Sequence, residues 1–234
     1  YSYEYERLMP GMDAWEAGQR MREITPTLRK LWKGDYAHDG EFFTFPSSTS
    51  APKPSQEDGP PIWIAARDPN SHEFAVANDF NVQVTPLWQG MAEIELLMER
   101  FRTAKSNNPG KSPKIMLLHH TYVGKDEADV ERAIDELTRF YCYFGAWFQN
   151  KRPVLQGRIQ KLSAQDIAQN KMITRENIAR DLTIGTASQI IDRIKQYEDM
   201  GFDEFSFWID SGMGSERKKQ SLRRLIDEVM PAFQ

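Results

Sequence analysis

The chain has 234 residues, of which 40% are hydrophobic and 27% charged, and this composition excludes a protein that is mainly disordered. A net charge of -4 disfavours binding to a nucleic-acid backbone, and no apolar run approaches the roughly 18 residues that a membrane span requires. The start of the chain lacks the basic and apolar regions of a signal peptide, so we expect a cytoplasmic protein. The single cysteine, Cys142, cannot form an internal disulfide and is expected to fill the core.

The part of the chain before residue 62 combines one helix with two short strand-like segments. Apolar side chains recur at helical spacing over residues 13–33, and Gly34 ends this pattern. Pro26 lies inside the pattern and allows a kink or a break near Thr25. Two short aromatic segments follow from residue 36, and the Pro- and Ser-rich loop over residues 47–59 is long enough to be functional or disordered.

From residue 62 onward, predicted strands alternate with predicted helices. Apolar runs bounded by Pro, Gly or charged residues predict strands over residues 62–66, 82–84, 114–123 and 204–209. Helices are predicted over residues 70–77, 91–104, 126–148 and 215–229. A further helix is expected to begin at Thr186 or Ser188 and to be closed by Gly201. Residues 149–178 are polar and weakly patterned, which indicates an insertion.

This alternation predicts parallel β-α units, but the four recognised strands do not close a barrel of eight. The predicted fold class is α/β, a (β/α)8 TIM-barrel type, of which this chain holds roughly the carboxyl-terminal half. We expect residues 1–234 to form one such portion of a single domain. Residues 141–148 are apolar on nearly every side of their helix, which predicts burial or a subunit contact, and a homo-oligomer is expected.

The segment after the strand at residues 62–66 is a candidate anion site. Main-chain N–H groups of a helix beginning here would point outward, Arg67 adds a positive charge, and Asn70, Ser71 and His72 add donors. The alternative is purely structural, with Asp68 or Ser71 as a helix cap and Arg67 as a solvated charge. From the residues alone, this structural alternative carries the greater weight.

Two adjacent histidines, His119 and His120, lie in the strand predicted over residues 114–123. Neighbouring strand residues point to opposite faces, so the two imidazoles cannot act as a pair on one substrate, although either is a candidate catalytic group. The alternative for each is a structural histidine in the core or on the outer face. No further histidine or carboxylate stands near them at metal-ligand spacing, so no metal site is expected.

The stretch WIDSGM places Trp208, Asp210 and Ser211 at or just past the carboxyl end of the last predicted strand. Ligands bind at this end of the strands in β/α barrels, so these three residues are candidates for a substrate pocket. The aromatic series of the strand itself is more typical of a core. The sequence contains no nucleophile elbow, no phosphate loop with lysine and no glycine-rich dinucleotide turn.

Six segments, taken in their order along the chain, carry a resemblance to a known family. They are EYE (4–6), RMREITPTLRKLW (20–32), DGEFFTF (39–45), PKPSQEDGPPIWIAARDPNSHEFA (52–75), IGTASQIIDRIKQYEDMGFDEFSF (184–207) and SLRRLIDEVMPAF (221–233). Together they resemble the luciferase-like family of flavin-dependent monooxygenases. Each motif is weak by itself, and their shared order makes the resemblance specific.

The resemblance implies a TIM barrel that binds FMN, supplied in reduced form by a separate flavin reductase, and that uses dioxygen to oxygenate a small organic substrate. It also implies that the flavin phosphate contacts Arg67, Asp68 and Ser71, with Tyr3 or Tyr5 contributing from the other side. The family commonly has a serine where Asp68 stands, and a carboxylate would repel a phosphate. We therefore expect Asp68 to offer only its backbone N–H or to cap the helix.

Family members carry their first four β-α units ahead of the point where this chain begins. We therefore expect the chain to be the carboxyl part of a longer enzyme that does not retain flavin without the rest. Two alternatives to the monooxygenase remain open. One is a deazaflavin-dependent oxidoreductase that transfers hydride on the same fold, and the other is a non-catalytic flavin-binding homologue that uses the apolar face at residues 141–148 as an interface.

Overall fold

The computed structural model describes residues 9, 11, 13–148, 153–210 and 212–233. The chain divides into two compact units, Tyr1–Trp63 and Ile64–Gln234. The first unit contains one long helix and a β-hairpin, and the second contains the sheet and the remaining helices. None of the described helices combines the length and the apolar composition that crossing a lipid bilayer requires.

In the first unit, helix α1 (Ala14–Lys33) is followed by strands β1 (Tyr36–Asp39) and β2 (Thr44–Ser48), which pair antiparallel. Asp13 caps α1 by accepting a hydrogen bond from the N–H of Glu16 at 2.7 Å. The helix continues through Pro26 without the break that the sequence allows. The hydroxyls of Thr25 and Thr27 donate to the carbonyls of Met21 and Ile24, so two main-chain acceptors in the turn before the proline are paired.

The hairpin is fastened to α1 by the carboxylate of Glu23. Its oxygens accept the N–H groups of Phe42 and Phe43, both at 2.9 Å, and lie 3.0 Å from Nε2 of His38. A side chain at Gly40 would place its Cβ only 2.2 Å from Glu23 Oε1, so a glycine is required at this approach.

The second unit holds a five-stranded sheet and a separate two-stranded hairpin. The strands are β3 (Trp63–Ala65), β4 (Asn81–Val84), β5 (Ile115–Val123), β6 (Val154–Leu155), β7 (Arg158–Ile159), β8 (Thr183–Gly185) and β9 (Glu204–Trp208). The helices are α2 (Pro69–Ala77), α3 (Met91–Asn107), α4 (Glu127–Phe148), α5 (Ala164–Ala168), α6 (Arg175–Asp181), α7 (Ala187–Asp199) and α8 (Ser215–Arg224), which continues as a π-helical turn, Leu225–Val229, and a 3-10 turn, Met230–Phe233.

Strand β5 is the centre of the sheet, and it pairs in parallel with three strands along its length. Strand β4 pairs with its first part from Ile115 to Leu117, β9 with Met116 to His120, and β8 with its last part from Thr121 to Val123. Strand β3 lies beside β4 on the far side from β5. The four predicted strands, β3, β4, β5 and β9, lie side by side in the sheet in that order. Strand β8 was not predicted.

The two faces of β5 have different surroundings. Leu117, His119 and Thr121 share one face and are all buried, because helices cover this side of the sheet. On the opposite face Met116 and Leu118 are only half-buried, whereas His120 and Tyr122 further along the strand are buried. Phe205 and Phe207 of β9 pack with α7 and the chain end in one core cluster, and α4 and α6 pack together in another.

The segment predicted as an insertion, residues 149–178, contains the β6–β7 hairpin, helix α5 and the first turn of α6. Ile173 and Ile178 from this segment are buried in the core beside α4. Cys142 of α4 is 2% exposed, its thiol lies 3.9 Å from the carbonyl of Ile173, and burial raises its pKa. The cysteine is therefore a core residue, as predicted.

Candidate functional site

The turn between β3 and α2 holds the predicted anion-binding residues. Asp68 caps α2, since its carboxylate accepts the N–H of Ser71 at 3.1 Å and the Ser71 hydroxyl at 2.5 Å. Pro69 follows at the first helical position, where the missing N–H costs nothing. The cap predicted for Asp68 is confirmed, and this carboxylate occupies the position in which an external anion would meet the helix start.

Arg67 is tied to the next β-α connection. Its Nη2 donates to Glu93 Oε1 at 2.9 Å and to Gln89 Oε1, and its carbonyl accepts a hydrogen bond from Arg100. The side chain is 45% exposed, so its guanidinium also meets solvent. Arg67 is therefore a partly paired cation whose remaining donors are accessible.

His72, one of the donors predicted for the anion site, is buried behind this turn. The Nδ1–H of His72 donates to the carbonyl of Asp68 at 3.0 Å, and Nε2 has no hydrogen-bond partner among the described residues. Burial lowers the pKa of His72, so its imidazole is neutral near pH 7. The single N–H of the neutral ring is taken by the Asp68 carbonyl, so in this structure His72 does not offer the donor that was predicted for an anion.

The loop from β4 to α3 joins this turn to a group of aromatic rings. Leu87 has a φ of 58°, in the left-handed region that a leucine seldom adopts, and Trp88 and Gln89 follow it. Gln89 accepts the hydrogen bond from Arg67, while the ring of Trp88 packs on Tyr141 at 5.9 Å. Two consecutive residues therefore connect the start of α2 with helix α4.

We call the rings beside the end of β9 the aromatic cluster. Its members are Trp88, Phe140, Tyr141, Phe144, Trp147 and Trp208. Most of their ring contacts are edge to face, as between Phe144 and Trp208, at 6.1 Å and 78°. The cluster lies where Trp208 ends β9 and beyond the end of β4, so it stands at the carboxyl side of the parallel strands.

His120 is fully buried beneath the aromatic cluster and contacts three of its rings. Its imidazole stacks on the indole of Trp208, with centroids 3.8 Å apart and planes 17° from parallel. Nδ1 lies in hydrogen-bonding contact with the Tyr141 hydroxyl, and Nε2 lies 3.3 Å from the carbonyl of Asp210. Burial lowers the pKa of His120 to about 4 and raises that of Tyr141, so a neutral imidazole accepts at Nδ1 and donates from Nε2.

His119 faces the other side of β5, as predicted from strand geometry. Its Nδ1 lies 2.9 Å from the hydroxyl oxygen of Thr183 and 3.5 Å from that of Tyr197. Burial, and to a smaller extent the neighbouring His120, lower the pKa of His119 to about 3. These contacts tie β5 to β8 and α7, so His119 has a structural environment and is separated from the aromatic cluster by the sheet.

The predicted pocket residues are only partly brought together. Trp208 belongs to the aromatic cluster, whereas the carboxylate of Asp210 turns outward, 78% exposed, and pairs with Lys218 at 2.9 Å. Ser211, Tyr3 and Tyr5 lie outside the described residues. The rings of α4 were predicted as a buried or subunit-contact face, and Tyr141 is buried within the chain itself. Within the described part of the chain, no group of histidine, cysteine or carboxylate side chains is arranged to hold a metal ion.

Known proteins resemble this chain over its whole length. An Acinetobacter baylyi protein named flavin-dependent trigonelline monooxygenase, oxygenase component, is 57% identical over 234 residues, which are 100% of this chain and 65% of that protein. The chain therefore spans about two-thirds of the length of this relative.

Solved structures agree with the fold. The monooxygenase RslO1 from Streptomyces bottropensis matches 99% of this chain and 66% of its own with a TM-score of 0.70 and 17% identity. The oxygenating constituent of 3,6-diketocamphane monooxygenase from Pseudomonas putida, solved with FMN, matches 99% of this chain and 68% of its own with a TM-score of 0.63 and 15% identity. At these identities the likeness concerns the fold alone, and the predicted barrel-type α/β class is confirmed.

The profile of the luciferase-like monooxygenase family matches residues 3–204. This span includes the turn at Arg67, strand β5 with both histidines, and α7. The chain therefore belongs to the luciferase-like monooxygenase family.

Proposed function

We propose that this chain belongs to the oxygenase component of a two-component, flavin-dependent monooxygenase. In this reaction a separate reductase supplies reduced FMN, one oxygen atom of dioxygen enters a small organic substrate, and the other leaves as water. The observation that carries the proposal is the 57% identity, over the entire chain, to a protein named as such an oxygenase component. We take the substrate of that relative, trigonelline, as the first substrate to test.

The proposed place for the flavin phosphate is the start of α2. Arg67 offers exposed guanidinium donors there, and Ser71 offers a hydroxyl and a main-chain N–H. Asp68 opposes this fit, because its carboxylate already takes both donors of Ser71. A phosphate fits only where the Asp68 side chain turns away, and Arg67 and Ser71 would then hold it. Reduced flavin, when bound there, would be the group that reacts with dioxygen.

The aromatic cluster is the proposed substrate side of the site. It stands at the carboxyl side of parallel strands, where barrel and open α/β proteins bind ligands. His120 is neutral near pH 7 and fully hydrogen-bonded, so we assign it to holding Trp208 and the Asp210 main chain in place. We therefore assign His120 a structural and not a catalytic role.

The test is an assay of oxygen transfer. Purified protein is mixed with a flavin reductase, NADH, FMN and trigonelline under 18O-labelled dioxygen, and the product is examined by mass spectrometry. We expect a product that carries one labelled oxygen atom and depends on all components. Turnover with a reduced deazaflavin in the absence of air would instead support hydride transfer, and flavin binding without turnover under either condition would support a non-catalytic homologue.

A further inference from the structure

We propose that Asp181 is a positioning residue for the flavin phosphate site, and that it acts through Gly90 to hold the guanidinium of Arg67 in place. The carboxylate of Asp181 lies against the start of α3, and the two side chains that accept hydrogen bonds from Arg67 flank that same start. The inference rests on the proposed function and deepens it, because it names a residue outside the phosphate contact that determines this contact.

Asp181, the last residue of α6, packs against a glycine of another element. A Cβ added at Gly90 would lie 2.3 Å from Asp181 Oδ1, closer than two such atoms approach, so only a glycine allows this contact. Asp181 is 7% exposed, whereas its ion-pair partner Arg180, at 2.7 Å, lies largely in solvent. A buried carboxylate is therefore held directly against Gly90.

The start of α3 suits a carboxylate that comes from elsewhere in the chain. Gly90 is the N-cap of this 17-residue helix, and it has no side chain that could accept the first N–H groups. These groups give the helix start a partial positive charge, which a nearby carboxylate stabilises. Asp181 lines a cavity of about 420 Å³ together with Gly90, Met91 and Ala92. Asp181 thus supplies from α6 the negative charge that Asp68 supplies locally to α2.

The loop that precedes Gly90 depends on contacts at its ends, because its backbone is strained. The φ of 58° at Leu87 is a conformation that persists only where the surrounding structure imposes it. The N–H of Gln89 donates to the carbonyl of Pro86 at 3.0 Å, which closes the first part of the loop. Asp181 holds the other end at Gly90.

Both acceptors of the Arg67 guanidinium stand beside Gly90. Gln89, the residue before it, accepts a hydrogen bond from Nη2 of Arg67, and Glu93, in the first turn of α3, accepts another at 2.9 Å. The main-chain N–H of Glu93 donates in turn to the carbonyl of Gly90 at 3.0 Å. A shift of Gly90 therefore moves both acceptors, and with them the donors that Arg67 offers to a phosphate.

A double-mutant cycle tests whether Asp181 acts through Arg67. Fluorescence titration gives the FMN dissociation constant of the protein, purified as it is encoded, of Asp181→Ala, of Arg67→Ala and of the double variant. We expect Asp181→Ala to weaken FMN binding about fivefold in the unaltered background and less than about twofold where Arg67 is already alanine. Asp129→Ala is the matched control. It removes a carboxylate that is 8% exposed and paired with Arg217, and should leave FMN affinity unchanged.

The variant Gly90→Ala perturbs the same contact from the other side. The φ of Gly90 is -87°, which any residue adopts, and the three atoms nearest to the added methyl group all belong to Asp181. We expect Gly90→Ala to weaken FMN binding about fivefold by itself and less than about twofold once Asp181 is alanine.

Deuterium exchange without flavin gives a second measurement and also reports on folding. In Asp181→Ala, the amides of residues 87–93 should exchange about fivefold faster, while those of Ile115–Val123 keep their protection. Equal losses of FMN affinity in the presence and absence of Arg67, or no loss at all, would overturn the inference and leave the proposed function standing. Absence of FMN binding by the unaltered protein would instead contradict the proposed function. In that case unaltered exchange at residues 87–93 would also show that Asp181 does not hold this loop.

Discussion

His120 and Trp208 are register partners on β5 and β9, and their rings lie parallel with centroids 3.8 Å apart. Because the two residues are paired across parallel strands, the neutral imidazole of His120 lies against the indole of Trp208. The same imidazole also bonds to Tyr141 on α4 and to the carbonyl of Asp210. One side chain therefore fixes the position of a strand end, a helix and the chain beyond the strand.

Acidification should destabilise the protein through its two strand histidines. The folded-state pKa values are about 3 for His119 and about 4 for His120, below the unfolded value of about 6.5, so the unfolded state binds more protons between these limits. Stability is fully present above pH 6.5 and falls as the pH decreases. Urea unfolding at pH 6.5 and pH 5 should differ by about 2 kcal/mol for each histidine.

The variant His120→Gln should remove one of these two contributions and leave a shallower pH dependence. An unchanged slope between pH 6.5 and pH 5 in this variant would contradict the assignment of a neutral, buried His120.

The start of α2 should respond in opposite directions to two substitutions. Arg67→Ala should weaken FMN binding by about 1 to 3 kcal/mol, because a charge-assisted hydrogen bond is lost. Asp68→Asn should strengthen FMN binding, since asparagine still caps the helix but no longer repels a phosphate. Fluorescence titration of FMN measures both effects, with Arg132→Ala on the exposed side of α4 as the matched control. Unchanged affinity in Arg67→Ala would remove Arg67 from the flavin site.

A buried ionic network should be important to the stability of the second unit. Arg217 of α8 donates to Asp129 Oδ1 at 2.8 Å and to the hydroxyl of Tyr122 at 3.1 Å, and Tyr122 donates to Asp129. Burial raises the pKa of Asp129, but hydrogen bonds from Lys125 N–H, Arg217 and Tyr122 outweigh it and leave the pKa lowered. Arg217→Met removes the charged donor of this carboxylate, which keeps the Tyr122 hydroxyl and the Lys125 N–H, and should cost about 1.5 to 3 kcal/mol in chemical denaturation.

The exposed Arg175, which pairs with Glu131 and Asp135, is the control for this network. Arg175→Met should cost less than about 1 kcal/mol, because exposed ion pairs contribute little. Similar losses in the two variants would show that burial does not decide the value of these ion pairs.

The contacts that the Glu23 carboxylate makes with the hairpin should make the stability of the first unit sensitive to acid. Burial raises the pKa of Glu23, but the N–H of Phe42, the ring of His38 and the N–H of Phe43 outweigh it, so the pKa is lowered. A lowered carboxyl pKa gives stability above the unfolded value that is lost as the pH falls through the folded value. Glu23→Gln should lower the Tm at pH 7 and lessen its fall on acidification below pH 4.5. An unaltered Tm would show that the hairpin is held by other contacts.

The strands were readable from the sequence because apolar runs between turn residues leave few alternatives. Strand β5 was predicted over residues 114–123 and observed as Ile115–Val123, and β9 ends one residue earlier than predicted. Strand β8 was missed, since Thr183–Gly185 is too short for a periodic pattern and exists through pairing with the end of β5. The last helix was predicted as one element, but it changes to a π-helical turn at Leu225.

The site was less predictable because its contacts join residues far apart in the chain. The pairing of Arg67 with Glu93 crosses two elements, and the stacking of His120 on Trp208 follows from sheet order, which one sequence does not specify. Trp88 gave no signal, because a tryptophan in a loop has no periodicity. Asp68 was the exception, since an aspartate followed by proline at a helix start is a local pattern with a local cause.

The staggered pairing of β5 also predicts which parts of the chain unfold locally last. Strands β4, β9 and β8 divide the length of β5 between them, and the N–H of Val123 donates to the Ser221 hydroxyl at 2.8 Å. Exposing all the amides of β5 would require its separation from each of these three strands. In native-state deuterium exchange, the amides of Ile115–Val123 should therefore be among the last to be labelled, while those of Val154–Leu155, in an exposed hairpin, exchange early.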